Sequence, residues 1–302
     1  WDHALLLPEL IGGDSHVDAI RLLDDATPLR STLVFYDAIP IRRPELFSSL
    51  AHSMYLRSLS LSRHVDAISC ISATVRNDLE RLLGVVPRQG TRPAVAVHYL
   101  GADFPIRAVQ STPAFDRPMV LCVGTIEPRK NQARILRAMV EAQAAGARFT
   151  GVFAGNAGWL NGAFRREFAA AVAAGHSLAL HEHLDDGALH ALYERAAFTV
   201  YCSLDEGFGL PIIESLRRGR PCITSDRGSM REIAERTGGC ELVDPEDTTE
   251  IAAAIHRLAA DTDARSRLTR EAAAATWPSW RDYTETLVGF ARTAPAATSR
   301  AA

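Results

Sequence analysis

Lysine is almost absent from this chain: of 33 basic residues, 32 are arginine and only Lys130 is lysine. A sequence that carries its positive charge as arginine therefore raises a question at one place, the stretch "LCVGTIEPRKNQARIL" over 121–136. A basic surplus is also missing. The formal net charge is −3, whereas a nucleic-acid binder usually shows a basic excess or stripe, so no nucleic-acid partner is expected. No apolar run approaches the roughly 20 residues of a membrane-spanning helix. The opening "WDHALLLPELIGG" has no basic lead and a very short apolar stretch, unlike a signal peptide, and without an initiator Met it reads as the start of a fragment.

Cysteine is sparse. Cys70, Cys122, Cys202, Cys222 and Cys240 include no C-x-x-C pair, which disfavours zinc and thioredoxin-like chemistry. Buried free thiols and a reducing, cytoplasmic compartment are expected instead. Repeats and low-complexity segments are lacking too.

What is present is an alternation of short apolar runs with helical patterns. A chain of 302 residues suggests two domains at roughly 150 residues each. In the first, 31–40, 64–72 and 93–101 read as strands, and 48–61 and 73–84 as helices. The stretch "ADFPIRAVQSTPAFDRP" (102–118), with three prolines and no period, has linker composition. The expected division is a first domain over 1–104, a linker over 105–117 and a second domain over 118–279. A helix over 280–293 is expected to pack back on the first domain, followed by a disordered tail over 294–302.

In the second domain the strand candidates are 118–124, 148–155, 177–184, 198–203 and 221–226. Helical patterns include 131–145, 163–174 and 187–197, and 248–276 reads as one helical stretch. Near-continuous apolar strands alternating with helices predict a parallel sheet covered on both faces. Ligands of such sheets sit at the carboxyl ends of the strands, so the strand-to-helix loops are where chemistry is sought.

Two loops stand out. "VLCVG", "TIEPRKN" and "QARILRAMVEA" read as strand, loop and helix, with Ile135, Leu136, Met139 and Val140 at helical spacing. The loop brings Arg129 and Lys130 to a helix start, where free N–H groups and the helix dipole favour an anion. Lysine is a compact point charge and arginine a planar fork, and together they suit a group such as a diphosphate. An exposed basic pair is the plainer alternative. In "FTVYCSLDEGFGLPIIESLRRGR", Gly207 and Gly209 allow close backbone approach, Pro211 suits a first helical turn, and Glu206 and Glu214 lie eight residues apart. These carboxylates could be acid/base groups, metal ligands or acceptors of sugar hydroxyls. "HEH" at 181–183 would put His181 and His183 on one strand face, but no third ligand stands near in sequence, so no metal site is expected.

Together the loops resemble family 4 of the retaining glycosyltransferases, its mannosyltransferase-like subgroup included. "VGTIEPRKN" resembles that family's "VGxxxPRKN", and "EGFGLPIIE" resembles its "EGFGLPxxE". The likeness is strong over 118–290; "LVFYDAIPIRRPELF" carries it more weakly in the first domain. The resemblance implies a GT-B fold, an α/β architecture of two Rossmann-like parallel-sheet domains facing a cleft, here with a shortened N-terminal domain.

Carried over residue by residue, it implies that Lys130 and Arg129 hold the donor diphosphate at the loop of Gly124 and Thr125, where many members have arginine in place of Thr125. Glu206 would face the donor sugar and Glu214 bind the ribose. Gly207, Phe208, Gly209 and Leu210 would present backbone to sugar and phosphate, and His183 and Leu184 would meet the base. Asp37 matches the aspartate of the family's "HD" pair, with Tyr36 replacing the histidine. The implied reaction is metal-independent sugar transfer with retention, departure and attack on one face, from a nucleoside-diphosphate sugar without further cofactor, GDP-mannose favoured. The acceptor would be a hydroxyl of a glycan or lipid-linked molecule, in the cytoplasm or at the inner face of the membrane, and Arg42/Arg43 and Arg217/Arg218 leave room for peripheral membrane contact. The alternative is a nucleotide-sugar-binding but inactive or regulatory module, a fragment of a larger glycosyltransferase.

Overall fold

A computed structural model describes residues 4–8, 17–20, 30–47, 49–85, 92–103 and 117–295. The chain divides into two compact units, Trp1–Asp103 with Trp277–Ala302, and Phe104–Thr276. Most of the linker expected over 105–117 and of the tail over 294–302 lies outside the described residues.

In the first unit, β1 (Ala4–Leu7), β2 (Arg30–Phe35), β3 (Ala67–Cys70) and β4 (Ala94–Val97) form a parallel sheet in that order. β2 and β3 are buried almost throughout, as parallel strands covered on both faces are. The strand expected over 31–40 stops at Phe35: Ile39–Arg42 is a short helix, α1, with Pro40 in its first turn. Helices α2 (Ser49–Ser60) and α3 (Ala73–Val85) follow. β1 is a strand that the sequence reading does not assign; it has four residues, of which only Leu7 is buried.

The second unit holds a six-stranded parallel sheet in the order β10-β9-β8-β5-β6-β7. Its strands are β5 (Met119–Val123), β6 (Thr150–Ala154), β7 (Leu178–His181), β8 (Ala196–Tyr201), β9 (Cys222–Ser225) and β10 (Cys240–Val243). Strand alternation splits its core in two. Val120 and Cys122 join one cluster with Ile135, Met139, Phe198 and Ile223, while Met119 and Leu121 join the other with Val152 and Tyr193. The helices are α4 (Gln132–Ala144), α5 (Gly162–Ala173), α6 (Asp186–Arg195), α7 (Leu210–Leu216), α8 (Gly228–Thr237), α9 (Thr248–Ala260) and α10 (Thr262–Ala274).

The stretch 248–276, read as one helical run, is broken at Asp261, whose carboxylate accepts from Asp263 N and Ala264 N and so caps α10. After Trp277, helix α11 (Trp280–Thr293) belongs to the first unit. There Trp277 Nε1 donates to Leu100 O over 2.8 Å, and Phe290 lies 5.0 Å from the His98 ring. Residues 277–279, assigned to the second domain from sequence, thus pack with the first. All five cysteines are free; burial pushes the thiols of Cys70, Cys122 and Cys222 up to about 12.

Strands β5, β6 and β7 build outward on one side, and β8, β9 and β10 on the other. The strand order therefore reverses between β5 and β8, and in open parallel sheets the carboxyl edge at such a reversal is where ligands bind. The two loops singled out from the sequence are the ones that leave β5 and β8.

Candidate functional site

The β5 loop begins at Gly124, whose φ of +143° is a backbone shape that L side chains rarely adopt. Ile126 then bridges the β6 loop, donating to Asn156 O (2.9 Å) and accepting from Gly158 N (3.0 Å). Pro128–Lys130 make a single 3-10 turn, and Asn131 follows in the left-handed region at φ +63°. Asparagine tolerates that shape better than most residues. Its buried amide donates to Cys202 O (2.9 Å) and Pro245 O (2.8 Å), while Gln132 donates back to Thr125 O (2.7 Å). Leu204 N donates to Arg129 O over 2.8 Å, which ties the β5 loop to the β8 loop directly.

That tie brings four charges together. Lys130 Nζ lies 2.7 Å from Glu206 Oε1 and donates to the Tyr201 hydroxyl, which in turn donates to Glu206 Oε1 over 2.8 Å. The Lys130 ammonium also sits over the Tyr201 ring. Arg129 Nη1 donates to Glu206 Oε2 (2.6 Å) and to Asp205 O (3.2 Å), and its Nη2 lies 2.7 Å from Glu127 Oε1. Glu206 and Glu127 are both buried. Burial alone would raise the Glu206 carboxyl, but Lys130 and Arg129 outweigh it and hold the group below its ordinary range. At Glu127 burial wins, so its carboxyl lies above that range although Arg129 and Lys130 pull the other way. Burial drives the Tyr201 hydroxyl well up, helped by Glu206.

Lys130, Arg129 and Glu206, picked out by sequence, thus meet at the switch point. The sequence reading missed Glu127 and Tyr201. The only signal for Glu127 was its place in "EPRK", and Tyr201 reads as one more apolar strand residue.

Beyond Glu206, Gly207 and Phe208 are buried, and Gly209 turns at φ +129° against the side chains of Ile212 and Ile233. Leu210 begins α7, and Ser229 Oγ holds Glu206 O from α8 over 2.8 Å. Glu214, half-buried in α7, has Tyr193 rather than a cation as its partner: the Tyr193 hydroxyl donates to Glu214 Oε2 over 2.6 Å. Arg218 lies over the Tyr193 ring and donates to Glu214 O. Its side chain is only 5% exposed, so the expectation that Arg217/Arg218 present a surface pair fails at Arg218.

His183 and Leu184 lie just past β7, at the same edge. The strand ends at His181, and His183 turns at φ +54° with its N–H donating to Asn156 Oδ1, so the alternation that would align His181 with His183 is lost. The Leu184 side chain packs against the Met119–Leu121 cluster. The D-x-D triplet Asp261-Thr262-Asp263 is the α9–α10 junction, where the Asp261 carboxylate caps a helix. Asp37 belongs to the first unit, where its Oδ1 accepts from Ile39 N at the start of α1 (2.9 Å). Tyr55 donates to Asp37 O, and Tyr36 donates to Pro8 O.

Comparison with known proteins decides the family. The glycosyl transferases group 1 profile matches residues 106–275, more than half of the chain. The chain belongs to that family. The serotype-specific mannosyltransferase WbdA of Escherichia coli is 29% identical over 248 residues, which cover 77% of this chain and 29% of the relative. The O-antigen chain mannosyltransferase B of Escherichia coli is 32% identical over 166 residues, 54% of this chain and 43% of the relative. The chain thus spans less than a third of the length of WbdA. Among solved structures, Anabaena Alr3699/HepE in complex with UDP superposes with a TM-score of 0.73 at 16% identity, covering 94% of this chain and 78% of that one. Sucrose-phosphate synthase from Thermosynechococcus elongatus gives 0.71 at 19% identity, covering 95% and 73%. At such identities the likeness concerns the fold, and the group 1 chain has the GT-B α/β fold with its two parallel sheets.

Proposed function

We propose that this group 1 chain is a retaining glycosyltransferase that moves a mannose-type sugar from a nucleoside-diphosphate sugar to a hydroxyl of a glycan or lipid-linked acceptor. The observation that carries the reading is the meeting of Lys130 and Arg129 with Glu206 where the strand order reverses. As the glycosidic bond breaks, negative charge grows on the departing diphosphate. Cations fixed beforehand in a buried site stabilise that charge more than they stabilise the bound donor, and this difference lowers the barrier. The two cations perform the neutralisation that a divalent ion performs elsewhere, so the reaction is proposed to need no metal. Glu214, oriented by Tyr193, suits the ribose hydroxyls as a pure acceptor.

GDP-mannose is favoured because relatives across much of this chain are mannosyltransferases. Among the described residues no helix is long and apolar enough to cross a membrane. The proposed place of work is the cytoplasm, at the inner membrane face where a lipid-linked acceptor is reached.

A thermal-shift panel of nucleoside diphosphates and their sugars tests the donor site: a ligand at 100 times its dissociation constant adds about 2.7 kcal/mol. Transfer from the best donor, undiminished by EDTA, is the expected outcome. Saturable binding without turnover would make the chain a nucleotide-sugar-binding module instead, and metal-rescued activity would remove the role given to the two cations.

A further inference from the structure

The cluster at the switch point is electrically balanced: Arg129 and Lys130 stand against Glu127 and Glu206, all at contact distance. A donor diphosphate brings two further negative charges to the same two cations. If both carboxylates stayed ionised, the site would hold two uncompensated negative charges among side chains that are 4–17% exposed. Like charges at such distances in a poorly solvated site are relieved by protonation of one acid.

The two acids are not equally ready to accept a proton. Glu206 receives Arg129, Lys130 and Tyr201, three donors that all favour its anion. Glu127 faces Arg129 alone at close range. Its Oε1 is buried, with Arg129 Nη2 2.7 Å away as its one close cation among the described residues. The charged groups around Glu127 are Arg129 and Lys130 from its own loop and Glu206 from the β8 loop, while a Cβ added at Gly158 of the β6 loop would come within 3.3 Å of the Glu127 Cβ. A diphosphate that draws on Arg129 and Lys130 weakens the pull that keeps Glu127 ionised and adds repulsion to it.

We propose that Glu127 takes up one proton from solvent when a sugar-nucleotide diphosphate engages Arg129 and Lys130, so that donor binding and proton uptake are coupled at this carboxylate. The inference rests on the donor reading above. No bond of the donor is made or broken in this step; solvent or buffer supplies the proton and Glu127 changes from carboxylate to carboxylic acid. Burial already holds the Glu127 carboxyl above its ordinary range, which is the direction that uptake requires.

The test is calorimetric titration of the whole chain with GDP-mannose near neutral pH in two buffers of different ionisation enthalpy. The diphosphate of a sugar nucleotide is doubly esterified and does not titrate there, so any buffer-dependent heat reports on the protein. Wild-type heats are expected to differ between buffers with the sign of uptake, and affinity is expected to weaken as pH rises, by at most about tenfold per pH unit for one proton. Glu127→Gln should bind with no buffer dependence and a flat pH profile, while Glu127→Asp, which keeps a carboxyl, should retain the uptake. Equal wild-type heats in the two buffers overturn the inference, as does undiminished uptake in Glu127→Gln, which would put the proton on another group. Failure of GDP-mannose and every other sugar nucleotide to bind overturns the donor reading and this inference with it.

Discussion

The Tyr193 hydroxyl at the end of α6 donates to Glu214 Oε2 in α7 over 2.6 Å, and the tyrosine that makes this bond is completely buried. The bond gives a half-buried carboxylate one fixed direction. Arg218 covers the Tyr193 ring and holds the α7 backbone at Glu214 O, so the position has support from two sides. Removing the hydroxyl alone leaves the ring, and the arginine above it, in place.

Tyr193→Phe is therefore expected to act on donor recognition. A hydrogen bond to a charged group contributes about 1.5–3 kcal/mol, so the donor KM should rise roughly tenfold or more with a smaller change in kcat. Steady-state kinetics with varied donor measure the split. A loss confined to thermal stability, with KM unchanged, would show that Tyr193 serves packing and does not orient Glu214 for a ligand.

Lys130→Ala removes the only lysine of the chain from Glu206 and Tyr201, while Arg129 keeps its own bond to Glu206. Loss of one donor to a developing oxyanion costs about 10²–10³ in turnover, and that range is expected here. Single-turnover rates, with circular dichroism to confirm folding, are the measurement. Near-normal turnover in a folded variant would move the diphosphate elsewhere.

Much of this arrangement was legible in the sequence, for identifiable reasons. Val120 and Cys122 alternate with Met119 and Leu121 as strand periodicity requires, and Gly124, Gly209 and Pro211 mark where the strands end and α7 begins. Pairings that depend on the chain crossing over were not legible. Tyr201 meets Lys130 across 71 residues only because β8 lies beside β5, which no local pattern states. Glu127 looked like a loop residue because nothing in "TIEPRKN" says that the β6 loop closes over it. β1 escaped notice because four residues with one buried side chain carry too little periodicity to distinguish a strand.

Glu206→Gln separates charge from shape. The amide can still accept from Tyr201, but the two cations lose their shared anion. Donor affinity should hold or tighten while kcat falls, and a loss of affinity with preserved kcat would count against Glu206 at the reacting face. The variant also carries a pH signature. Because the folded Glu206 carboxyl lies below its ordinary value, its contribution to stability is present above about pH 4.3 and disappears as pH falls through the folded value. Wild-type Tm should thus decline more steeply than that of Glu206→Gln in acid.

Gly155→Ala tests the loop scaffold without touching any charged group. A Cβ at Gly155 would lie 2.0 Å from Gly124 O and 2.6 Å from Gly124 C, so backbone has to move, and it is the backbone that starts the β5 loop. Gly124 O is also an acceptor for Gln132, which braces the turn carrying Arg129 and Lys130. Forcing an extra carbon into such a contact costs about 1–3 kcal/mol. Part of the displacement should reach the two cations, lowering Tm and weakening donor binding together. Gly84→Ala, in α3 with no atom within 4 Å of its added carbon, is the control: it should hold or slightly raise Tm, since Ala favours a helix over Gly by about 0.5–1 kcal/mol, and leave donor binding unchanged. Weakened stability with unaltered donor affinity in Gly155→Ala would mean that Lys130 and Arg129 are placed by their carboxylate partners and not by the path of the loop.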